Sequence, residues 1–238
     1  MNGIPKEFDP AITQPNYLIR NRLLKNIKTL APRLKGKLMD FGCGQKPYKA
    51  LFSVDDYVGV DFENPGHPHL NESIDVFYDG KKLPFTSEYF DSIFSSEVFE
   101  HVFNLEEILK ELNRVLKTNG MILITCPFAF CEHEVPNDYA RYTSFALKHL
   151  FAKNGFEIIE QVKTGNSIEA IAQLRLIYLH LHIHSRIKKI PVVRSSFRLI
   201  VYTGINIAAL IWGKIFPAGN DLYMSNVLLC RKIHNNHS

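Results

Sequence analysis

Four cysteines serve 238 residues, and none forms a C-x-x-C pair with another. The scatter of Cys43, Cys126, Cys131 and Cys230 argues against a disulfide framework or a zinc ribbon and favours a reducing compartment. The opening stretch MNGIPKEFDP lacks an apolar run, so no signal peptide is expected and the natural setting is cytoplasmic. Acidic residues are missing from Ala170 to Asn220, while that stretch holds Arg175, Arg186, Lys188, Lys189, Arg194, Arg198 and Lys214. The whole chain carries only +4, too modest for its length to argue for nucleic acid. A third glycine is also missing. The loop Asp40-Phe41-Gly42-Cys43-Gly44 places Pro47 where a dinucleotide fingerprint expects its last glycine.

What is present reads as a globular α/β chain. Hydrophobic residues make up 46% and charged residues 22%, which excludes a disordered composition. Short apolar runs predict strands at 37–41, stopped by glycine, at 57–62, ending in an acid, and at 73–79, 90–96, 121–127 and 156–162, with a last strand over 221–232. Amphipathic spacing predicts helices over 17–34, 104–120 and 143–155, the second capped by Asn104 and the third by Thr143. Strands alternating with helices imply a doubly wound, mostly parallel sheet. One domain is expected: a helical cap over 1–35, a core over 36–162, a helical insertion over 163–220 and the final strand.

In such a sheet, ligands bind beyond the carboxyl ends of the strands. Gly42 and Gly44 end the first strand and let backbone approach a ligand, and a helix N-terminus after them would favour a negative group. Asp61 ends the second strand, where an acid accepts from ribose hydroxyls. Pro47 cannot supply the close packing of glycine over a pyrophosphate, so a nucleoside ligand without a diphosphate fits better than NAD.

The ordered set LMDFGCGQKPY, YVGVDF, YDGKKLPF, FDSIFSSEVFEHV and LKELNRVLKTNGMILITCP resembles the class I S-adenosylmethionine-dependent methyltransferases, specifically the methyltransferase-11-like group, over about residues 36–162. The resemblance implies a Rossmann-like sheet of seven strands with the last antiparallel, and S-adenosyl-L-methionine as cofactor. It implies that Asp40, Gly42 and Gly44 cradle the methionine end, with Cys43 as a small packing residue inside the loop. Asp61 would hold the ribose, Phe62 would flank the adenine, and Asp79 with backbone near Leu83 would meet its amino group. Ser95 would close the site, with Glu97 and His101 just beyond it. The family usually has a full helix between Asp61 and Ile74. FENPGHPHLNES predicts a loop there instead.

A base is needed only for a poorly ionised acceptor. His101, after the fourth strand, is one candidate, unless the Glu-His pair only packs the next helix. His133, in CEHEVPNDYARYT, is the other, and Tyr139 and Arg141 are candidate acceptor contacts. The alternative for that loop is a solvated segment with Asp138 and Arg141 as a local ion pair. HLHIH at 180–184 lacks nearby carboxylates, so no metal site is expected. The acceptor class is a small molecule, a glycan or a lipid-linked group. SSEV after the fourth strand, in place of Asn/Asp-Pro-Pro-aromatic, argues against nucleic-acid amino groups. A catalytically inactive cofactor-binding module is the competing reading, with an NAD-dependent oxidoreductase behind it.

The insertion around 170–220 has two readings. It either packs over the cleft or in a homodimer, or lies peripherally on the inner face of a membrane with its basic residues on anionic lipid.

Overall fold

The computed structural model describes residues 3–62, 73–187 and 190–233. Seven strands form one sheet: β1 (Lys37–Phe41), β2 (Asp56–Phe62), β3 (Val76–Tyr78), β4 (Phe90–Ser96), β5 (Leu116–Pro127), β6 (Phe156–Lys163) and β7 (Ser225–Lys232). Their order across the sheet is β3-β2-β1-β4-β5-β7-β6. The pairs from β3 through β5 are parallel, and β7 runs antiparallel to both β5 and β6. The order reverses between β1 and β4, which puts a crevice at their carboxyl ends.

Alternation along the strands feeds two cores. Met39, Phe41, Ile93, Ile122 and Ile124 face one side, against Ile108, Leu109 and Leu112 of α2 (Leu105–Val115) and Leu147 and Phe151 of α3 (Ser144–Lys153). Leu38, Phe94, Leu123 and Leu229 face the other, against Leu18, Leu23 and Ile27 of α1 (Tyr17–Leu30). Each such side chain contributes about 1.5–3 kcal/mol on burial.

Several element boundaries differ from the sequence reading. The helix expected over 104–120 stops at Val115, and Leu116–Gly120 extend β5 instead, with Leu116 paired to Phe90. Asn119 takes a left-handed φ of 65° inside that strand, so it does not end the helix. Asn104 does not cap α2 by its side chain, which donates to Gly80 O and Glu107 Oε2. Thr143 does cap α3, accepting from Ala146 N at 3.1 Å. No α-helix follows the glycine loop among the described residues. A 3-10 turn over Lys49–Leu51 stands there, so the loop gains no helix dipole. The third and last strands are shorter than expected, and the loop expected after Phe62 lies largely outside the described residues.

Between β6 and β7 the chain forms two long helical arms. The first is α4 (Ser167–Tyr178), continued as a π-helical turn over Leu179–His184. The second runs through α5 (Pro191–Phe197), a π-helical turn (Arg198–Tyr202) and α6 (Thr203–Ile215). In the first arm His180 and His184 stack at 5.2 Å while His182 turns to Tyr178, as helical spacing requires.

Candidate functional site

The glycine loop leaves β1 through Asp40, which is buried and accepts a 2.6 Å hydrogen bond from Tyr57 Oη. Burial pushes the Asp40 carboxyl up to about 7, against the pull of that hydrogen bond. Gly42 has φ +71°, and a side chain there would drive into Val98. Gly44 has φ +45°, and a Cβ on it would meet none of the described residues within 4 Å, so the loop is open to them on that side. Gly44 N donates to Asp61 Oδ2 at 2.8 Å, and Phe62 N donates to Asp61 Oδ1 at 2.8 Å. Cys43 is buried, with its Sγ directed under Gly59, and burial pushes its thiol up. It packs the loop from below.

Two supporting contacts escaped the sequence reading. Tyr57 reaches Asp40 because parallel pairing sets the strands in register, Leu38 beside Tyr57 and Asp40 beside Gly59. Lys46 passes under the loop to Asp75, whose Oδ2 also accepts from Gly59 N at 2.6 Å. No short-range signal announces either contact.

The expected adenine side is less uniform. Phe62 is 41% exposed and packs edge-on to Tyr78 at 6.0 Å. Asp79 is exposed, and its Oδ1 accepts from Lys81 N and Lys82 N, which holds its carboxyl below the usual range. Leu83 is buried and its N–H is given to Glu111 Oε2 at 3.0 Å, so its backbone donor is already used.

At the end of β4, Ser95 Oγ and Glu97 Oε1 are buried without a hydrogen-bond partner among the described residues. Burial pushes the Glu97 carboxyl up to about 7. Glu97 and His133 line a cavity roofed by Asn16, Ile19, Arg20 and Leu23. Three of those roof residues belong to α1, and Asn16 precedes its first turn.

The structure brings the two histidines together. Their rings meet edge-to-face at 4.8 Å, and the buried Glu100 Oε1 lies 3.7 Å from His101 Nε2 and 3.9 Å from His133 Nε2. Burial raises the Glu100 carboxyl well above the usual range, with Glu97 adding to the shift. His101 Nδ1 lies 2.7 Å from Asn137 O, which only accepts, so that nitrogen carries a proton. His133 Nδ1 faces Cys131 O and Asp138 Oδ2, each at 3.3 Å, and the Arg141 Nη2 donor at 3.4 Å. Burial, and then the neighbouring His101, lower the His133 pKa. One potential ligand atom from each of Glu100, His101 and His133 lies within 4.8 Å of the others. The sequence, in which they span 34 positions, offers no such grouping.

The two expected acceptor contacts are spent elsewhere. Arg141 grips Asp138 with both terminal nitrogens at 2.6 Å and donates to Cys131 O at 2.8 Å. That fork holds the Asp138 carboxyl down to about 2 and braces the loop carrying His133. The local ion pair is therefore the arrangement seen. Tyr139 is half exposed, packs on Phe103 at 5.4 Å and donates to Asn137 Oδ1, away from the cavity lining.

A seven-stranded sheet with a glycine loop after β1, an acid at the end of β2 and a cavity beyond β4 and β5 has the layout of a nucleoside-binding doubly wound fold. The family model described as "Methyltransferase domain" matches residues 16–161, and the chain belongs to that family, the class I S-adenosylmethionine-dependent methyltransferases. It is 28% identical over 150 residues to the malonyl-[acyl-carrier protein] O-methyltransferase of Legionella pneumophila, covering 55% of this chain and 52% of that protein. It is 33% identical over 127 residues to the human mitochondrial ubiquinone biosynthesis O-methyltransferase, covering 45% of this chain and 34% of that protein. The chain thus matches about half the length of the first and a third of the second. Among solved structures, Haemonchus contortus phosphoethanolamine N-methyltransferase 2 with S-adenosyl-L-methionine shares the fold, with TM-score 0.56 and 14% identity. That match covers 98% of this chain and 61% of the other.

The residues present suit this cofactor. The open side of Gly44 lies beside the Asp61 carboxylate, and Ser95 and Glu97 offer buried polar atoms unpartnered among the described residues beyond it.

Proposed function

We propose that the chain transfers a methyl group from S-adenosylmethionine to an oxygen of a small-molecule acceptor, with His133 taking the acceptor's proton. When bound, the cofactor supplies a methyl group on a sulfonium already activated for displacement. Asp40, Gly42 and Gly44 would hold its amino-acid end, Asp61 its ribose, and Phe62 and Asp79 its adenine edge.

The observation that carries the oxygen assignment is the imidazole pair. An amine acceptor that is already neutral needs no base, whereas a hydroxyl must lose a proton as the new bond forms. His133 lines the cavity with a lowered pKa, so at neutral pH it is an unprotonated base. Arg141 fixes the loop that carries it through Asp138 and Cys131 O. His101, held by Asn137, sits behind it as the second imidazole. Both curated relatives named above are O-methyltransferases by name, which agrees with an oxygen acceptor. Ile19, Leu23 and Phe130 give the cavity apolar walls beside Arg20 and Glu97, suited to an acceptor with an apolar body and a polar end.

The test is release of S-adenosylhomocysteine when the chain is incubated with S-adenosylmethionine and pooled phenols, hydroxy acids and lipid extracts. The reading expects turnover with a hydroxyl-bearing pool that collapses in His133→Asn. Cofactor binding with no turnover on any pool would favour a non-catalytic module. Full turnover by His133→Asn would remove the assigned base.

A further inference from the structure

We infer that the second arm of the insertion, 191–215, is a docking surface for an anionic lipid membrane, lying in the headgroup plane without crossing the bilayer. This does not depend on the acceptor assigned above.

The apolar character of this arm is turned outward. Val193, Ile200, Ile207, Ile211 and Ile215 recur at intervals of seven, seven, four and four, the repeat of one helical face. All five are exposed, Ile200 to 70% and Ile215 to 68%. Tyr202, Asn206 and Ala209, buried on the protein, follow the opposite face. Only 17% of the most apolar window in 191–215 is buried, so core packing does not explain its composition. Among the described residues from 177 to 201, none is buried. A core-packed helix would show the reverse.

Charge selects the occupant. From Ala170 to Asn220 there is no acidic residue and seven basic ones. Of these, Arg175, Arg186, Arg194, Arg198 and Lys214 are described, and all are exposed. A second copy of the chain would set this cationic face against itself, which like charges oppose. An anionic lipid surface offers both a negative plane for the arginines and an acyl boundary for the isoleucines.

The anchoring of the arms argues against a single crossing. Thr164 N donates to Ser225 O at 2.8 Å and Met224 N to Thr164 O at 3.0 Å, so the insertion leaves and re-enters the sheet at one point. On the protein side, Asn206 Nδ2 donates to Ile12 O at 2.7 Å and Gln14 O at 3.1 Å. The buried face is thereby tied to the segment leading into the cavity roof. Only the outer face is left for lipid.

Co-sedimentation of the full chain with phosphatidylglycerol/phosphatidylcholine vesicles at low salt tests the inference. Binding is expected on the anionic vesicles, with little on pure phosphatidylcholine and a steep loss at high salt. Arg194→Glu/Arg198→Glu should weaken it by about fivefold or more per charge. Ile200→Ser/Ile207→Ser should weaken it on the apolar side, and both variants should bind S-adenosylmethionine as the parent does. Absence of binding to anionic vesicles at low salt would overturn the inference. So would equal binding by both variants, or a dimer in sedimentation velocity that these variants dissociate while vesicles capture nothing.

Discussion

The N–H of Gly44 and the carboxylate of Asp61 meet at 2.8 Å, joining the ends of β1 and β2 across 17 residues of sequence. This bond orients the acid at the mouth of the loop before any ligand arrives. The glycine keeps that mouth open.

Gly42→Ala should destabilise the fold. The residue holds φ +71°, and its new Cβ would lie 2.4 Å from Val98 Cγ2. The left-handed backbone alone costs about 1–2 kcal/mol for a residue with a side chain. Thermal unfolding should show the loss, while Gly44→Ala, with φ +45° but open space around it, should be milder in packing.

His133→Asn should lower kcat by roughly 10²–10⁴-fold with cofactor affinity unchanged, the range of a lost general base. Because burial lowers the His133 pKa, activity should rise with pH along a limb below the ordinary imidazole value near 6.5. A kcat–pH profile with that limb in the parent and without it in the variant checks the assignment.

The roof over the cavity depends on the insertion. Arg22 pairs with the buried Glu169, and Gln173 accepts from Ile19 N at 3.1 Å while donating to Pro15 O at 2.9 Å. Glu169→Ala should cost roughly 2 kcal/mol, less than a fully buried pair because Arg22 is partly exposed. Denaturant unfolding measures the loss. Faster amide exchange at Ile19 and Leu23 would show that it reaches the roof.

Acidification should loosen the two arms. His180 Nδ1 lies 3.2 Å from Tyr202 Oη, and His184 Nε2 is buried without a partner among the described residues. Burial lowers the pKa of both histidines, so the folded state binds fewer protons than the unfolded one. Their contribution is therefore present above the unfolded value near 6.5 and is lost as pH falls below it. The gap in melting temperature between the parent and His180→Gln/His184→Gln should shrink or change sign from pH 8 to pH 5.

Much of this was legible from residue order. Each expected strand lies at least partly where the sequence has an apolar run, and the central strands β1 and β4, paired in parallel, carry such runs because they are largely buried. The helix over 104–120 was misread at its end: Leu116 continues the helical pattern, yet it pairs with Phe90 in the sheet. That choice rests on a partner 26 positions away. Arg141 looked like a substrate contact because its residue type suits one, and only the folded loop shows its donors already taken. Glu100 was visible only as half of a Glu-His pair. Its place between two imidazoles depends on the course of a loop that no local pattern encodes.

The most direct test of the account is calorimetric titration of the parent and Asp61→Ala with S-adenosylmethionine. The carboxylate holds Gly44 at the mouth of the loop and is the group assigned to the ribose, so removing it should weaken binding by roughly ten- to a hundredfold. A variant that binds the cofactor as tightly as the parent would contradict the placement of the cofactor in this loop.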